Sequence, residues 1–121
     1  MNKTAFFLIL IVAFACKKEE KPQQSIAAKT PVELGREIFE DQCNCAACHL
    51  PNQKVVGPSI LEIAQIYKEK KANMAGFLKG NEKPIVDPDQ YDVMEANFAI
   101  TKLMTDEELH AVEAYMNSFL K

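Results

Sequence analysis

The stretch Cys45-Ala46-Ala47-Cys48-His49 decides how this sequence is interpreted. Its two thiols are about one helical turn apart, so each can add to a vinyl group on the same edge of a porphyrin. The imidazole that follows can then bind the iron from one side of the ring. The spacing predicts one covalently attached haem, held by Cys45 and Cys48, with His49 as an axial ligand of the iron.

Two other kinds of site use the same residue types. A C-x-x-C pair alone is also typical of a redox dithiol, but such a site needs strands alternating with helices around it, and the sequence has no such pattern. Zinc could recruit Cys43 as a third thiol, although structural zinc sites usually take their ligands from two separated segments. A zinc or dithiol module without haem is therefore the less favoured alternative. Cys43 is predicted to be a partly exposed bystander.

Residues 1–16 are predicted to be a signal peptide. The run from Ala5 to Ala15 is apolar but too short to span a membrane, which takes about 20 residues. It ends at Cys16, and this junction resembles that of a bacterial lipoprotein, in which the cysteine becomes the lipid-bearing N-terminus. The alternative is ordinary cleavage after Ala15, which leaves a soluble periplasmic protein. The favoured interpretation is a lipoprotein of the bacterial cell envelope, facing the periplasm or exposed at the surface.

The remainder of the chain is predicted to be a tether and one domain. Residues 17–30 are rich in Lys, Glu, Pro, Gln and Ser and have little to bury, which favours a flexible tether. Residues 31–121 have the length of one small domain, and a core of that size often needs a cofactor. The chain has 14 basic and 17 acidic residues, a formal net charge of −3. That balance gives no support for a nucleic-acid-binding protein.

Capping signals and apolar spacing predict an all-α domain. The pattern of Thr30 to Glu33 is a helix N-terminus with a capping box, and Thr105 to Glu108 repeats it for the last helix. Ser59 to Tyr67 is predicted to be a short helix, and a further turn or two is predicted near 72–78. Residues 80–100 contain two prolines and are predicted to be largely loop.

With these features in place, residues 31–121 resemble a class I cytochrome c. The resemblance implies three to five helices wrapped around one covalent haem c. It also implies that Gly35 and Phe39 of the first helix cross the last helix at close range, with Tyr115 opposite them. The segment Val56-Gly57-Pro58-Ser59 resembles the one whose proline carbonyl accepts the second N–H of the axial imidazole. Pro58 is therefore implied to orient that ring.

The resemblance further implies a methionine as the second axial ligand, from the segment ahead of the last helix. Met94 lies there, in the predicted loop, and is the favoured ligand. Met104 is the second candidate, although its place just before the last helix suits a hydrophobic staple. Met116 is assigned to the core and Met74 to a helix. His110, off the apolar stripe of its helix, is predicted to be an exposed surface residue.

These features predict one-electron transfer by iron. No catalytic triad or carboxylate pair accompanies the motif, so neither an enzyme nor a small-molecule substrate is expected. The expected partners are other redox proteins, docked through small and transient contacts. Membrane attachment is expected through lipid on Cys16. The alternative function is a haem-based ligand sensor, which would follow if no methionine bound the iron.

Overall fold

The computed structural model describes residues 28–121. The predicted signal peptide and most of the predicted tether lie outside the described residues. The described part has six α-helices and no strand, apart from a single bridge between His49 and Lys54. The all-α prediction is confirmed, with one helix more than the expected three to five. None of the helices within 28–121 combines the length and apolar character that crossing a bilayer requires.

The first and last helices begin at the predicted capping boxes. Helix α1 spans Pro31–Glu37, and the Thr30 hydroxyl accepts a hydrogen bond from the backbone N–H of Glu33 at 3.2 Å. In return, the Glu33 carboxylate accepts one from the backbone N–H of Thr30 at 2.9 Å. Helix α6 spans Asp106–Asn117 and starts with the same pair of bonds at Thr105. Local sequence therefore fixes both starting points.

Helices α1 and α6 cross at Gly35. A Cβ atom at this position would lie 1.9 Å from the carbonyl oxygen of Ala111 and 2.9 Å from the Cβ of Tyr115, so only glycine fits. Next to the crossing, the rings of Phe39 and Tyr115 lie 5.4 Å apart. The Tyr115 hydroxyl donates a hydrogen bond to the Glu40 carboxylate at 2.9 Å. The crossing is as expected from the sequence.

Two more helices follow the motif. Helix α2 spans Ile60–Lys70, begins at the N-cap Ser59, and ends at Lys71, which has left-handed backbone. Helix α3 spans Met74–Leu78, and its N-cap Asn73 accepts a hydrogen bond from the third backbone N–H of the helix at 2.8 Å. Both helices lie where the sequence predicts them.

The prediction of a loop over residues 80–100 is wrong for its second half. A 3₁₀ turn at Pro88–Gln90 leads into helix α4 (Tyr91–Glu95), and helix α5 (Phe98–Thr101) follows. Proline here occupies the first position of a helical turn, where its missing N–H is not needed. It therefore starts helical structure rather than interrupting it.

Tertiary contacts hold α5 in place. Phe98 is buried, and its ring packs edge-on against Phe77 at 5.3 Å between centroids. The buried Thr101 hydroxyl donates a hydrogen bond to the carbonyl oxygen of Leu78 at 2.6 Å. Helices of four or five residues are unstable alone, so packing against α3 accounts for α4 and α5.

Candidate functional site

An apolar cavity lies between the motif, α2, α3, α4 and α6. Its empty space, counted together with its opening to solvent, is about 930 Å³. All five site residues predicted from the sequence line it: Cys45, Cys48, His49, Pro58 and Met94. The structure thus brings the motif and a residue 45 positions after it to one cavity.

A 3₁₀ turn presents the motif to the cavity. The turn spans Cys45–Ala47, and the backbone N–H groups of Cys48 and His49 both donate to the carbonyl oxygen of Cys45, at 3.1 and 3.0 Å. Asn44 precedes the turn with left-handed backbone, a conformation that asparagine tolerates better than most residues. Both thiols and the imidazole therefore come from a single hydrogen-bonded turn.

The end of the first helix corrects the prediction for Cys43. Residues Ile38–Gln42 form a π-helical turn, closed by a 2.9 Å hydrogen bond from the backbone N–H of Cys43 to the carbonyl oxygen of Ile38. Cys43 is only 7% exposed and packs in the core, so the prediction of a partly exposed thiol is wrong. Burial also raises the pKa of its thiol. The extra residue of the π turn brings Cys43 inward. No sequence signal marks this π turn.

The imidazole of His49 has a fixed orientation. Its Nδ1 lies 2.7 Å from the carbonyl oxygen of Pro58. Because a carbonyl oxygen only accepts, Nδ1 carries the proton and the lone pair of Nε2 is free for a metal. The backbone of Gly57 lies against the ring, since a Cβ there would be 2.4 Å from Cε1. A hydrogen bond from the Gly57 N–H to the Cys48 carbonyl oxygen, at 2.9 Å, holds this segment against the motif.

The structure distinguishes between the two methionine candidates for the iron ligand. Met94 lines the cavity and lies on α4, not on a loop as predicted, whereas Met104 is not among the lining residues. The side-chain amide nitrogen of Asn97 lies 4.0 Å from the Met94 sulfur. Met74 and Met116 also line the cavity, but both are buried in the core. Met94 is thus the partly buried methionine of the cavity wall.

An aromatic wall of the cavity was missed by the sequence reasoning. Tyr67, Phe77 and Tyr91 line the cavity, with ring centroids 6.3 Å apart for the first pair and 6.4 Å for the second. Burial raises the pKa of Tyr67 to about 12, so its phenol is neutral. A signal did exist, because Tyr91, Met94 and Phe98 have the i, i+3, i+7 spacing of an apolar helix face.

The structure disfavours a zinc or dithiol site at the motif. Burial, together with the neighbouring Cys43 thiol, raises the pKa of the Cys45 thiol to about 12. A neutral thiol is a poor nucleophile, which disfavours a redox dithiol. Among residues 28–121, no three His, Cys, Asp or Glu side chains gather closely enough to hold a metal.

The second histidine lies away from this site. His110 is exposed, as the sequence predicts, and its Nδ1 lies 3.2 Å from the Glu113 carboxylate. It is not among the residues that line the cavity. Of the two histidines, His49 is therefore the one at the site.

Comparison with known proteins agrees with this site. The family model for cytochrome c matches residues 32–119, which is most of the described part of the chain. A search of curated proteins finds no match. The cofactor of the matched family is covalent haem c. An apolar cavity with two thiols and a metal-ready imidazole on one turn fits that cofactor.

Proposed function

Since this chain belongs to the cytochrome c family, we propose that it carries one covalent haem c and passes single electrons between redox proteins of a bacterial cell envelope. Haem-based electron transfer is the general function of the family. When bound, haem c supplies one-electron Fe(III)/Fe(II) chemistry. The observation that carries the proposal is the placement of Cys45, Cys48, His49 and Met94 on one apolar cavity.

The motif residues have separate roles in this proposal. Cys45 and Cys48 would each form a thioether to the porphyrin, which uses both thiols. His49 would bind the iron through Nε2, because its Nδ1 proton is directed at the Pro58 carbonyl oxygen. That hydrogen bond fixes the ring orientation and makes the imidazole a stronger donor to the metal.

Met94 would supply a second protein ligand to the iron. A thioether ligand favours ferrous iron and so raises the reduction potential. The Asn97 amide beside the Met94 sulfur would restrict its rotation. An apolar cavity also raises the reduction potential, because burial penalises the extra charge of the ferric state. This arrangement suits a carrier of relatively high potential.

The location of the protein rests on its N-terminal sequence, outside the described residues. We propose that Cys16 bears lipid and that residues 17–30 tether the domain to the membrane. The test is fractionation of cells that express the full chain, with Cys16→Ser beside the wild type. Release of the variant from the membrane fraction would support the lipid anchor. An equally soluble wild type would instead support ordinary cleavage.

An optical experiment tests the proposed function. The full chain is expressed in a host that attaches haem c, and its spectra are recorded oxidised, reduced, and reduced under carbon monoxide. Met94→Ala is compared with Met104→Ala, a matched substitution outside the cavity. An electron carrier with both iron ligands in place is supported if carbon monoxide leaves the low-spin spectra of the wild type and Met104→Ala unchanged. Carbon monoxide should change the spectrum of Met94→Ala. A carbon monoxide adduct in the wild type would support the ligand sensor.

A further inference from the structure

Four apolar side chains are exposed along the outside of α4 and α5. The backbone is right-handed helical at the junctions Ala96, Asn97 and Lys102, so spacing by three, four or seven keeps residues on one side. Val93 is 58% exposed and Leu103 86% exposed. The set, here called the apolar stripe, is Val93, Ala96, Ile100 and Leu103.

The fold does not need the apolar stripe. The opposite side of the same helices makes the internal contacts, through Met94 at the cavity, Phe98 in the core and the Thr101 hydrogen bond to α3. A single exposed apolar residue is ordinary, but a row of them at helical spacing is typical of an interaction surface.

The apolar stripe is continuous with the mouth of the cavity. Val93 both belongs to the stripe and lines the cavity. Val56 also lines the cavity and is 51% exposed, and its neighbour Val55 is exposed as well. A partner seated on the stripe would therefore also lie beside the opening of the cavity.

The charges beside the apolar stripe are predominantly acidic. Three exposed carboxylates accompany it on the same segment: Asp89, Asp92 and Glu95. Lys54 is paired with Asp87 at 3.0 Å, and Lys102, whose amine lies 5.5 Å from the centre of the Phe98 ring, adds one positive charge at the far end of the stripe. A partner that complements this surface needs a basic rim around an apolar centre.

We propose that the apolar stripe is the docking surface for a redox protein with an apolar contact spot surrounded by lysine or arginine. The proposal rests on the proposed electron-transfer function. Four side chains cover far less than the roughly 800 Å² per partner of a stable complex, which fits a transient encounter. A second copy of the chain is disfavoured as the occupant, because it would bring like carboxylates together.

Stopped-flow oxidation of the reduced, haem-loaded full chain tests this surface. One oxidant is a lysine-rich mitochondrial cytochrome c, and the other is ferricyanide, which needs only an accessible haem. The apolar variant is Ile100→Gln with Leu103→Gln, and its control is Val32→Gln, an exposed valine on α1. The charge variant is Asp92→Asn with Glu95→Gln, and its control is Glu69→Gln on α2.

We expect both double variants to slow the reaction with the protein oxidant at least about fivefold. Rates with ferricyanide should stay within about twofold for the apolar variant and should not fall for the charge variant, because ferricyanide is an anion. Added salt should slow the wild-type reaction with the protein oxidant and affect that of the charge variant less. Unchanged rates in the apolar variant, or an equal loss in Val32→Gln, would overturn the docking surface. Failure of the wild type to reduce even ferricyanide would instead overturn electron transfer itself.

Discussion

The Nδ1 atom of His49 donates a hydrogen bond to the carbonyl oxygen of Pro58 at 2.7 Å. This bond joins the motif to a segment nine residues later and leaves Nε2 directed away from it. Gly57, between them in the chain, has no side chain where the imidazole lies. The orientation of the predicted iron ligand is therefore set by backbone, which a substitution can test.

Gly57→Ala should displace the His49 ring. The new Cβ would lie 2.4 Å from Cε1, so the ring or the backbone must move. We expect a loss of about 1–3 kcal/mol in the free energy of unfolding. A weaker Nδ1 hydrogen bond also makes a weaker metal ligand, so the reduction potential should rise. Thermal unfolding and a spectroelectrochemical titration of the haem-loaded protein measure the two effects.

Val55→Ala is the matched control, since Val55 is an exposed residue of the same segment. It should leave the potential and the spectrum as in the wild type. A Gly57→Ala protein with wild-type potential and stability would show that the ring is not held as described.

The features predictable from the sequence are those with local signals. Four consecutive residues are enough to recognise each capping box, at Thr30 and at Thr105, and five are enough to recognise the motif. The crossing at Gly35 is non-local, and its prediction came from a family resemblance. The geometry then supplies the reason, because the Ala111 carbonyl occupies the space of a side chain.

The features that escaped prediction depend on tertiary packing. The π turn before Cys43 is stabilised by burial of its apolar residues, and nothing in composition distinguishes it from an α-turn. Helices α4 and α5 have weak local propensity and follow a proline, which suggests a loop. Their apolar spacing at Tyr91, Met94 and Phe98 was the available signal.

Gly35→Ala should be strongly destabilising. The added Cβ would lie 1.9 Å from the Ala111 carbonyl oxygen, and backbone cannot rotate away as a side chain can. Separation of α1 from α6 also disturbs the Phe39–Tyr115 ring contact. We expect a loss of about 3 kcal/mol, measured by guanidinium unfolding.

Arg36→Ala, at the next position of the same helix, is the comparison variant. Arg36 is exposed and its ion pair with Glu40 is long, at 3.8 Å, so the expected loss is below about 1 kcal/mol. Equal losses in the two variants would argue against close packing at Gly35.

The capping carboxylates should make stability depend on acid pH. Hydrogen bonds from the backbone and side chain of Thr30 lower the pKa of Glu33, and those from Thr105 lower the pKa of Glu108. A carboxyl group whose pKa is lowered in the folded state stabilises that state when the pH is above its ordinary pKa of 4.5. That contribution is lost as pH falls from this value through the lowered one.

The double variant Glu33→Gln with Glu108→Gln should therefore lose less stability than the wild type between about pH 5 and pH 3. Guanidinium unfolding at a series of pH values measures this slope. Glu107→Gln, in the first turn of α6 but outside the capping box, is the matched substitution that leaves both capping boxes intact. Parallel curves for the double variant and the wild type would contradict the assignment.

Thr101→Val should loosen the segment that carries Met94. The Thr101 hydroxyl donates to the Leu78 carbonyl oxygen at 2.6 Å in a buried position, and valine has the same shape without the donor. We expect a loss of about 1–2 kcal/mol, because the carbonyl oxygen stays buried without this partner. Since α4 and α5 depend on packing against α3, amide hydrogen exchange should quicken over residues 91–101 before it does in α6. Thr101→Ser keeps the hydroxyl and should restore slow exchange in that segment. If Val and Ser variants exchanged alike, the hydrogen bond would not be what holds Met94 at the cavity.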